Sequence, residues 1–120
     1  MSIETPLKIQ VLNLTKRFGD LTVLDDISFN VAQGELVAIV GPTGCGKTTF
    51  LNMLSKLMPA TEGSILIDGE EANPRNHNIS YVFQEPTCLP WRTVRENVAL
   101  GMEIKGVSPK ERMQRSDEIM

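Results

Sequence analysis

Cysteine is scarce in this sequence: Cys45 and Cys88 are the only two among 120 residues. Their spacing fits no zinc motif and neither has a neighbouring thiol, so free thiols in a reducing compartment are the simpler reading. Positive charge is not in excess. Twelve Lys and Arg stand against 15 Asp and Glu, a net charge of −3, and the basic residues never gather into a run. That excludes a field drawing the whole chain toward nucleic acid or an anionic membrane. Long apolar runs are also missing; none approaches the ~18 residues of a membrane span. The first residues, MSIETPLKIQ, lack a cationic patch followed by an apolar stretch and do not read as a signal peptide. Internal repeats and low-complexity segments are absent as well. A cytoplasmic globular chain is the expectation, in keeping with an apolar fraction of 41% and a charged fraction of 22%.

What is present alternates between two periods. Residues 8–18 place Ile9, Val11 and Leu14 against polar Gln10 and Asn13, which predicts a strand. Gly19-Asp20 marks a turn, and residues 21–31 alternate again, a second strand closed by a turn at Gly34. LVAIV, residues 36–40, is continuously apolar, as a strand buried on both faces of a parallel sheet should be. After a glycine-rich turn, residues 47–58 carry Phe50, Leu51, Leu54, Leu57 and Met58 at helical spacing, with Pro59 as the stop. GSILIDGEE reads as a strand running into a tight Asp68-Gly69 turn. Residues 78–85 read as another short strand. Thr93 with Glu96 forms a capping box for a helix. Ser108, Pro109 and Glu111 announce one more, and the chain reaches Met120 without a stop signal, as a longer sequence cut within a helix would.

The most specific feature is Gly41-Pro42-Thr43-Gly44-Cys45-Gly46-Lys47-Thr48, the spacing G-x-x-x-x-G-K-[ST] of a phosphate-binding loop. Gly41, Gly44 and Gly46 permit backbone angles closed to other residues and leave room for an anion beside the main chain. The N–H groups of residues 43 to 49, Thr49 included, would then form an inward-facing nest, reinforced by the positive end of the helix. Lys47 would bring a mobile charge to the β- and γ-phosphates, and the Thr48 hydroxyl a hard ligand for Mg²⁺. A buried-strand pattern before the loop and a helical pattern after it supply the context that the motif requires.

From residue 9 to residue 120 the sequence resembles the ATP-binding subunits of ABC transporters. The resemblance rests on the block VLNLTKRFGDLTVLDDISFNVAQGELVAIVGPTGCGKTTFLNMLSKLMPATEGSILIDG followed by ISYVFQE. It implies an α/β fold: a phosphate-loop core with an N-terminal antiparallel β layer (residues 8–68 with the loop and first helix), a glutamine-loop strand (78–86) and the start of a helical subdomain (93–120), all within the N-terminal half of one ATPase domain. It implies ATP and Mg²⁺ as cofactors. Phe18 then corresponds to the aromatic that stacks on adenine, the alternative being a core side chain, and Val23 to the apolar residue beside the sugar and base, or to a plain strand-face position. Gln84 would complete the Mg²⁺ shell or hold the attacking water, so Lys47 and Gln84 are the candidate catalytic residues and Thr48 and Gln84 the metal ligands. The segment ILIDGE imitates a Walker B strand, but Asp68 reads as a turn residue. His77, in a polar stretch, reads as a solvated loop residue.

LPWRTVRENV, residues 89–98, resembles the ATPases of nitrate-, sulfonate-, taurine- and bicarbonate-type importers. That makes Trp91 and Arg92 candidate contacts with membrane-spanning permease subunits, the alternative for Trp91 being burial under the glutamine loop. The family's signature motif, late Walker B aspartate, catalytic glutamate and switch histidine do not occur here. The resemblance therefore implies a transport ATPase that acts as a head-to-tail dimer on the inner face of the membrane, with this stretch supplying the nucleotide cradle and negligible turnover by itself. A short non-catalytic nucleotide-binding or regulatory module is the alternative. A small-molecule kinase is disfavoured, because it has no need of Phe18, the Asp68-Gly69 hairpin and Gln84 in this order.

Overall fold

A computed structural model describes residues 6–120; the first half of the N-terminal stretch read against a signal peptide lies outside them. The chain divides into two compact units, one ending at Tyr81 and one beginning at Val82. In the first, strands β1 (Leu7–Phe18), β2 (Leu21–Ala32), β3 (Glu62–Ile67) and β4 (Glu70–Glu71) form one antiparallel sheet in the order β2-β1-β3-β4. Helix α1 (Lys47–Leu54) packs on it through Phe50 and Met53. The core joins these two side chains to Val11, Leu14, Leu24, Ile65, Ile67 and Ala72. Phe29 meets Phe50 with ring centroids 5.6 Å apart and planes tilted by 45°, a geometry that aromatic pairs favour.

The apolar positions of β1 change parity between Val11 and Leu14, which a regular strand of period 2 cannot accommodate. The structure resolves this with a bulge. Asn13 takes a left-handed φ of 46°, the pairing of β1 with β2 slips between Val11 and Leu14, and both apolar residues face the core. β2 makes the matching adjustment at Asp26 (φ 47°), so that Leu24 and Ile27 both pack inward. The two irregular residues are tied together: Asn13 Nδ2 donates to Asp26 Oδ1 at 2.8 Å and the Asp26 N–H donates to Thr15 Oγ1 at 3.0 Å. Gly63 on β3 lies against the bulge; a Cβ there would stand 2.3 Å from the Asn13 carbonyl oxygen and 2.4 Å from that of Leu12.

Asp68 and Gly69 have φ of 53° and 80°, the doubly left-handed turn that twists in step with its strands. Asp68 is thus a turn residue, ion-paired to Lys8 at 2.6 Å. Three sequence expectations require correction. α1 ends at Leu54 instead of running to Pro59, because Lys56 turns left-handed (φ 57°). Residues 78–86 join no ladder among the described residues. Residues 36–40 join none either: Val37 and Ile39 line a hollow of about 230 Å³ over the sheet with Phe29 and Phe50, whereas Leu36 is 96% and Val40 88% exposed. A strand exists only through neighbours that take its N–H and C=O groups, and the described residues place none beside this segment.

The second unit holds α2 (Val94–Ile104) packed on α3 (Pro109–Ile119). α2 begins with the expected capping box, Thr93 N–H donating to Glu96 Oε2 at 2.8 Å. Ser108 caps α3, accepting from the Glu111 N–H. Arg92 joins Glu103 at 2.7 Å and Arg95 joins Asp117.

Two outcomes are expected. Gly63→Ala should destabilise the protein by about 3 kcal/mol, because strain at positive φ adds to a backbone clash. Gly19→Ala, with φ 57° but open space around it, should cost only about 1 kcal/mol; denaturant unfolding of the two variants makes the comparison. The second concerns pH. Hydrogen bonds from Thr93 hold the Glu96 carboxyl, and the Arg92 guanidinium holds that of Glu103, below the ordinary carboxylate value. Groups with lowered folded-state pKa values stabilise above their unfolded pKa, and that contribution is lost as pH falls through the lowered values. The helical circular-dichroism signal of the second unit should therefore decline on acidification below the usual carboxylate range, and Glu96→Gln should blunt the transition.

Candidate functional site: a phosphate-binding loop

The loop between residues 40 and 47 is shaped by two glycines in left-handed conformation, Gly44 at φ 81° and Gly46 at φ 102°. The Cys45 N–H closes a turn onto the Pro42 carbonyl at 3.3 Å. Gly46 is the N-cap of α1 and is buried. It sits against β2 so tightly that a Cβ would lie 2.9 Å from Leu24 Cδ2, 3.1 Å from Val23 Cγ1 and 3.3 Å from the Val23 carbonyl oxygen. The absence of a side chain here lets the helix start directly over the strand.

The start of α1 is left open to an anion. Gly46 offers no side chain to the first-turn N–H groups, and the first turn contains no acidic residue. Most helices satisfy these donors with a Ser, Thr, Asp or Asn cap; here the donors and the positive end of the helix dipole remain for a ligand. Pro42, Thr43, Gly44 and Thr48 are exposed, and Thr49 is half-buried. The Lys47 ammonium folds back over the loop, donating to the carbonyls of Gly41 at 2.6 Å and Pro42 at 2.7 Å and lying 3.5 Å from Cys45 Sγ. It is therefore within reach of the same backbone that surrounds the helix start. A residue with a Cβ at Gly41 would press on Cys45 Sγ at 2.6 Å. The donor set (backbone N–H groups, one ammonium, one hydroxyl) and a cradle that side chains would fill suit a polyphosphate.

The structure brings together Val23, the loop and the start of α1. Phe18 ends β1, paired with Leu21 across the turn. At 46% exposure it is no core residue, and its ring face carries the Lys16 ammonium 4.9 Å from the centroid, a cation–π contact. Lys16 itself is buried and donates to the Pro59 carbonyl at 2.7 Å. Gln84 is exposed and belongs to the second unit, as does Trp91, which is 76% exposed and so not covered by the glutamine loop. Arg92 is different from the exposed contact its sequence position suggested: its guanidinium is engaged by Glu103 at 2.7 and 3.4 Å. His77 is also more than a solvated residue, since its Nδ1 lies 3.2 Å from the Asn73 nitrogen.

Two contributors escape a reading by motif. Leu24 supports Gly46 as closely as Val23 does, and its parity break from Ile27 was the available signal. Lys16 reads as one more exposed base on an alternating strand, and nothing in its neighbourhood announces that its stem is buried. Among the described residues no cluster of three or more His, Cys, Asp or Glu could hold a metal ion, and no helix is long and apolar enough to cross a membrane.

Known proteins carry the same arrangement. The structure is similar to a dimeric ATP-binding cassette, MJ0796, in a post-hydrolysis state bound to ADP and Pi, with TM-score 0.81 and 33% identity over 92% of this chain and 54% of that one. By sequence the chain is 41% identical over 112 residues to an uncharacterized ABC transporter ATP-binding protein of Methanocaldococcus jannaschii. It is 45% identical over 95 residues to the aliphatic sulfonates import ATP-binding protein SsuB of Zymomonas mobilis, and 41% over 115 residues to the Fe(3+) ions import ATP-binding protein FbpC of Escherichia coli O157:H7. These matches cover 90%, 79% and 93% of this chain but only 42%, 40% and 33% of the relatives, so the chain spans about two fifths of their length or less. The family pattern described as ABC transporter matches residues 24–120, which include the whole loop and the helix it opens; the chain belongs to the ABC transporter family.

Proposed function

We propose that this chain is the nucleotide-holding part of an ABC importer ATPase that couples ATP binding and hydrolysis to uptake of a small anion. One observation carries the reading: α1 starts at a buried, side-chain-free Gly46 with no acid in its first turn, beneath a loop that the Lys47 ammonium already spans. On this reading the N–H groups of residues 43 to 49 hold the β- and γ-phosphates and Lys47 exchanges its loop carbonyls for phosphate oxygens. Phe18 offers its exposed ring to the base, with Val23 beside the sugar. Mg²⁺, when bound, neutralises charge developing on the γ-phosphoryl group. It would be held by the Thr48 hydroxyl together with phosphate oxygens, a set of hard oxygens that needs no carboxylate cluster. The general base and the signature motif are left to other parts of a longer protein, which would work as a head-to-tail pair on the inner membrane face. Exposed Trp91 would meet the membrane-spanning subunits there, while Arg92 shapes that surface through Glu103.

The solute is assigned to the small anions on the LPWRTV segment and on the likeness to the sulfonate importer's ATPase. Relatives named for ferric iron and for xylose and arabinose match over as much of the chain, so the assignment rests on that segment. In the assembled transporter, ATP turnover should rise with an alkanesulfonate, nitrate or sulfate bound to the cognate binding protein and stay unchanged with xylose or ferric ion; stimulation by the latter pair alone would remove the anion assignment.

The nucleotide reading has its own test. In the full-length protein, Lys47→Ala should weaken Mg-ATP by about tenfold or more, as expected for losing a charged partner of phosphate. Phe18→Ala should weaken it several-fold and Phe18→Tyr leave it unchanged, since stacking needs the ring alone. Equilibrium titration with a fluorescent ATP analogue measures all three, and saturable binding indifferent to Lys47→Ala would overturn the site.

A further inference from the structure

Helix α2 contains a side chain that serves the segment ahead of it. Asn97 lies one turn inside the helix, where asparagine is a poor helix former because its amide competes for backbone groups. Here that competition is put to use. Asn97 Oδ1 accepts from the Leu89 N–H at 2.7 Å, and Asn97 Nδ2 donates to the carbonyls of Leu89 (3.2 Å), Arg92 (3.2 Å) and Thr93 (3.0 Å). The amide thus pairs with both backbone groups of Leu89 as a neighbouring peptide would. Leu89 needs such a partner: it precedes Pro90, which favours an extended backbone and so denies it helical bonds.

The clasp fixes both ends of a five-residue loop. At one end stands Leu89; at the other, Arg92 and Thr93, whose own capping box starts the helix. The Arg92 N–H also donates to the Leu89 carbonyl at 3.1 Å, and its guanidinium is held by Glu103. Between these fixed points the chain has no option but to carry Pro90 and Trp91 outward, and Trp91 is left 76% exposed. An exposed indole loses contact area to solvent unless a partner covers it, and aromatic anchors bind best when the loop that bears them is already ordered.

We propose that Asn97 is the positioning residue of the Trp91 contact: its amide pre-orders residues 89–93 so that the indole is presented to the membrane-spanning subunits. The proposal rests on the importer reading above. Asparagine meets the geometry with both the oxygen and the nitrogen of its amide. Aspartate keeps the acceptor for Leu89 but turns the donor toward three carbonyls into a repelling charge, and alanine removes both.

Two measurements on the full-length ATPase test it. In the unaltered protein, hydrogen exchange at the Leu89 N–H should be slowed by about tenfold or more relative to an unstructured peptide; exchange at the unstructured rate overturns the clasp whatever the variants do. In the complex with the membrane subunits, Asn97→Ala and Asn97→Asp should each lower solute-stimulated ATP turnover by about tenfold, while basal turnover of the ATPase without those subunits stays within about twofold. Trp91→Ala should lose the same stimulation, and Asn97→Ala combined with Trp91→Ala should do no further harm, because one residue acts through the other. Additive losses, or a fall in basal turnover with Asn97→Ala, would assign Asn97 a merely architectural part and overturn the inference. Stimulation lost with Trp91→Ala but kept with both Asn97 variants would overturn it while leaving the importer reading intact; stimulation kept with Trp91→Ala would overturn the docking role itself.

Discussion

The close approach of Gly46 to β2 is the constraint on which the site depends. With Leu24 Cδ2 and Val23 Cγ1 near where its Cβ would stand, a side chain at residue 46 would force these strand side chains to give way. Its φ of 102° closes the position to other residues a second time. From that one contact the other features follow. α1 is aimed over the sheet, so Phe50 and Met53 reach the core. Its first N–H groups are left without a side-chain cap, and Lys47 is placed where its ammonium can lie against the loop carbonyls. A helix start that lacks its own cap is a cost to the isolated fold of order 1 kcal/mol, which an anion seated there would offset.

The sheet beneath makes that approach possible through irregularity. Regular pairing would turn either Val11 or Leu14 to solvent; the bulges at Asn13 and Asp26 keep both inside, together with Leu24, whose position supports Gly46. Gly63 concedes the space the bulge needs. The polar residues in the middle of these strands are thus structural: Asn13, Thr15 and Asp26 satisfy one another and the backbone that the bulges release from the ladder. Site and sheet defects are one arrangement, and a flat sheet could not carry this loop.

In the second unit the organising elements are polar as well. The capping box of Thr93 and Glu96, the Arg92–Glu103 pair and the Asn97 amide act on consecutive groups of one short loop. Each is modest alone, since half-exposed pairs contribute little, yet together they leave the backbone of residues 89–93 few alternatives. The exposed tryptophan is the consequence of this ordering.

The sequence by itself determined the glycine turn that opens α1, the two long strands, the Asp68-Gly69 turn and the starts of α2 and α3. These follow from local rules: glycine spacing, parity of apolar residues, and cap residues that act within one turn. Tertiary structure decided the rest. The early end of α1 depends on a left-handed Lys56, which lysine does not announce. Residues 36–40 read as a doubly buried strand because they are apolar, but apolarity is a demand for neighbours, and Leu36 and Val40 are exposed without them. Arg92 was legible as a charge and Phe18 as an aromatic; whether each is bound or free depends on Glu103 and Lys16 arriving from other positions. Local sequence sets what a residue can do, whereas its partners are fixed only when distant segments meet.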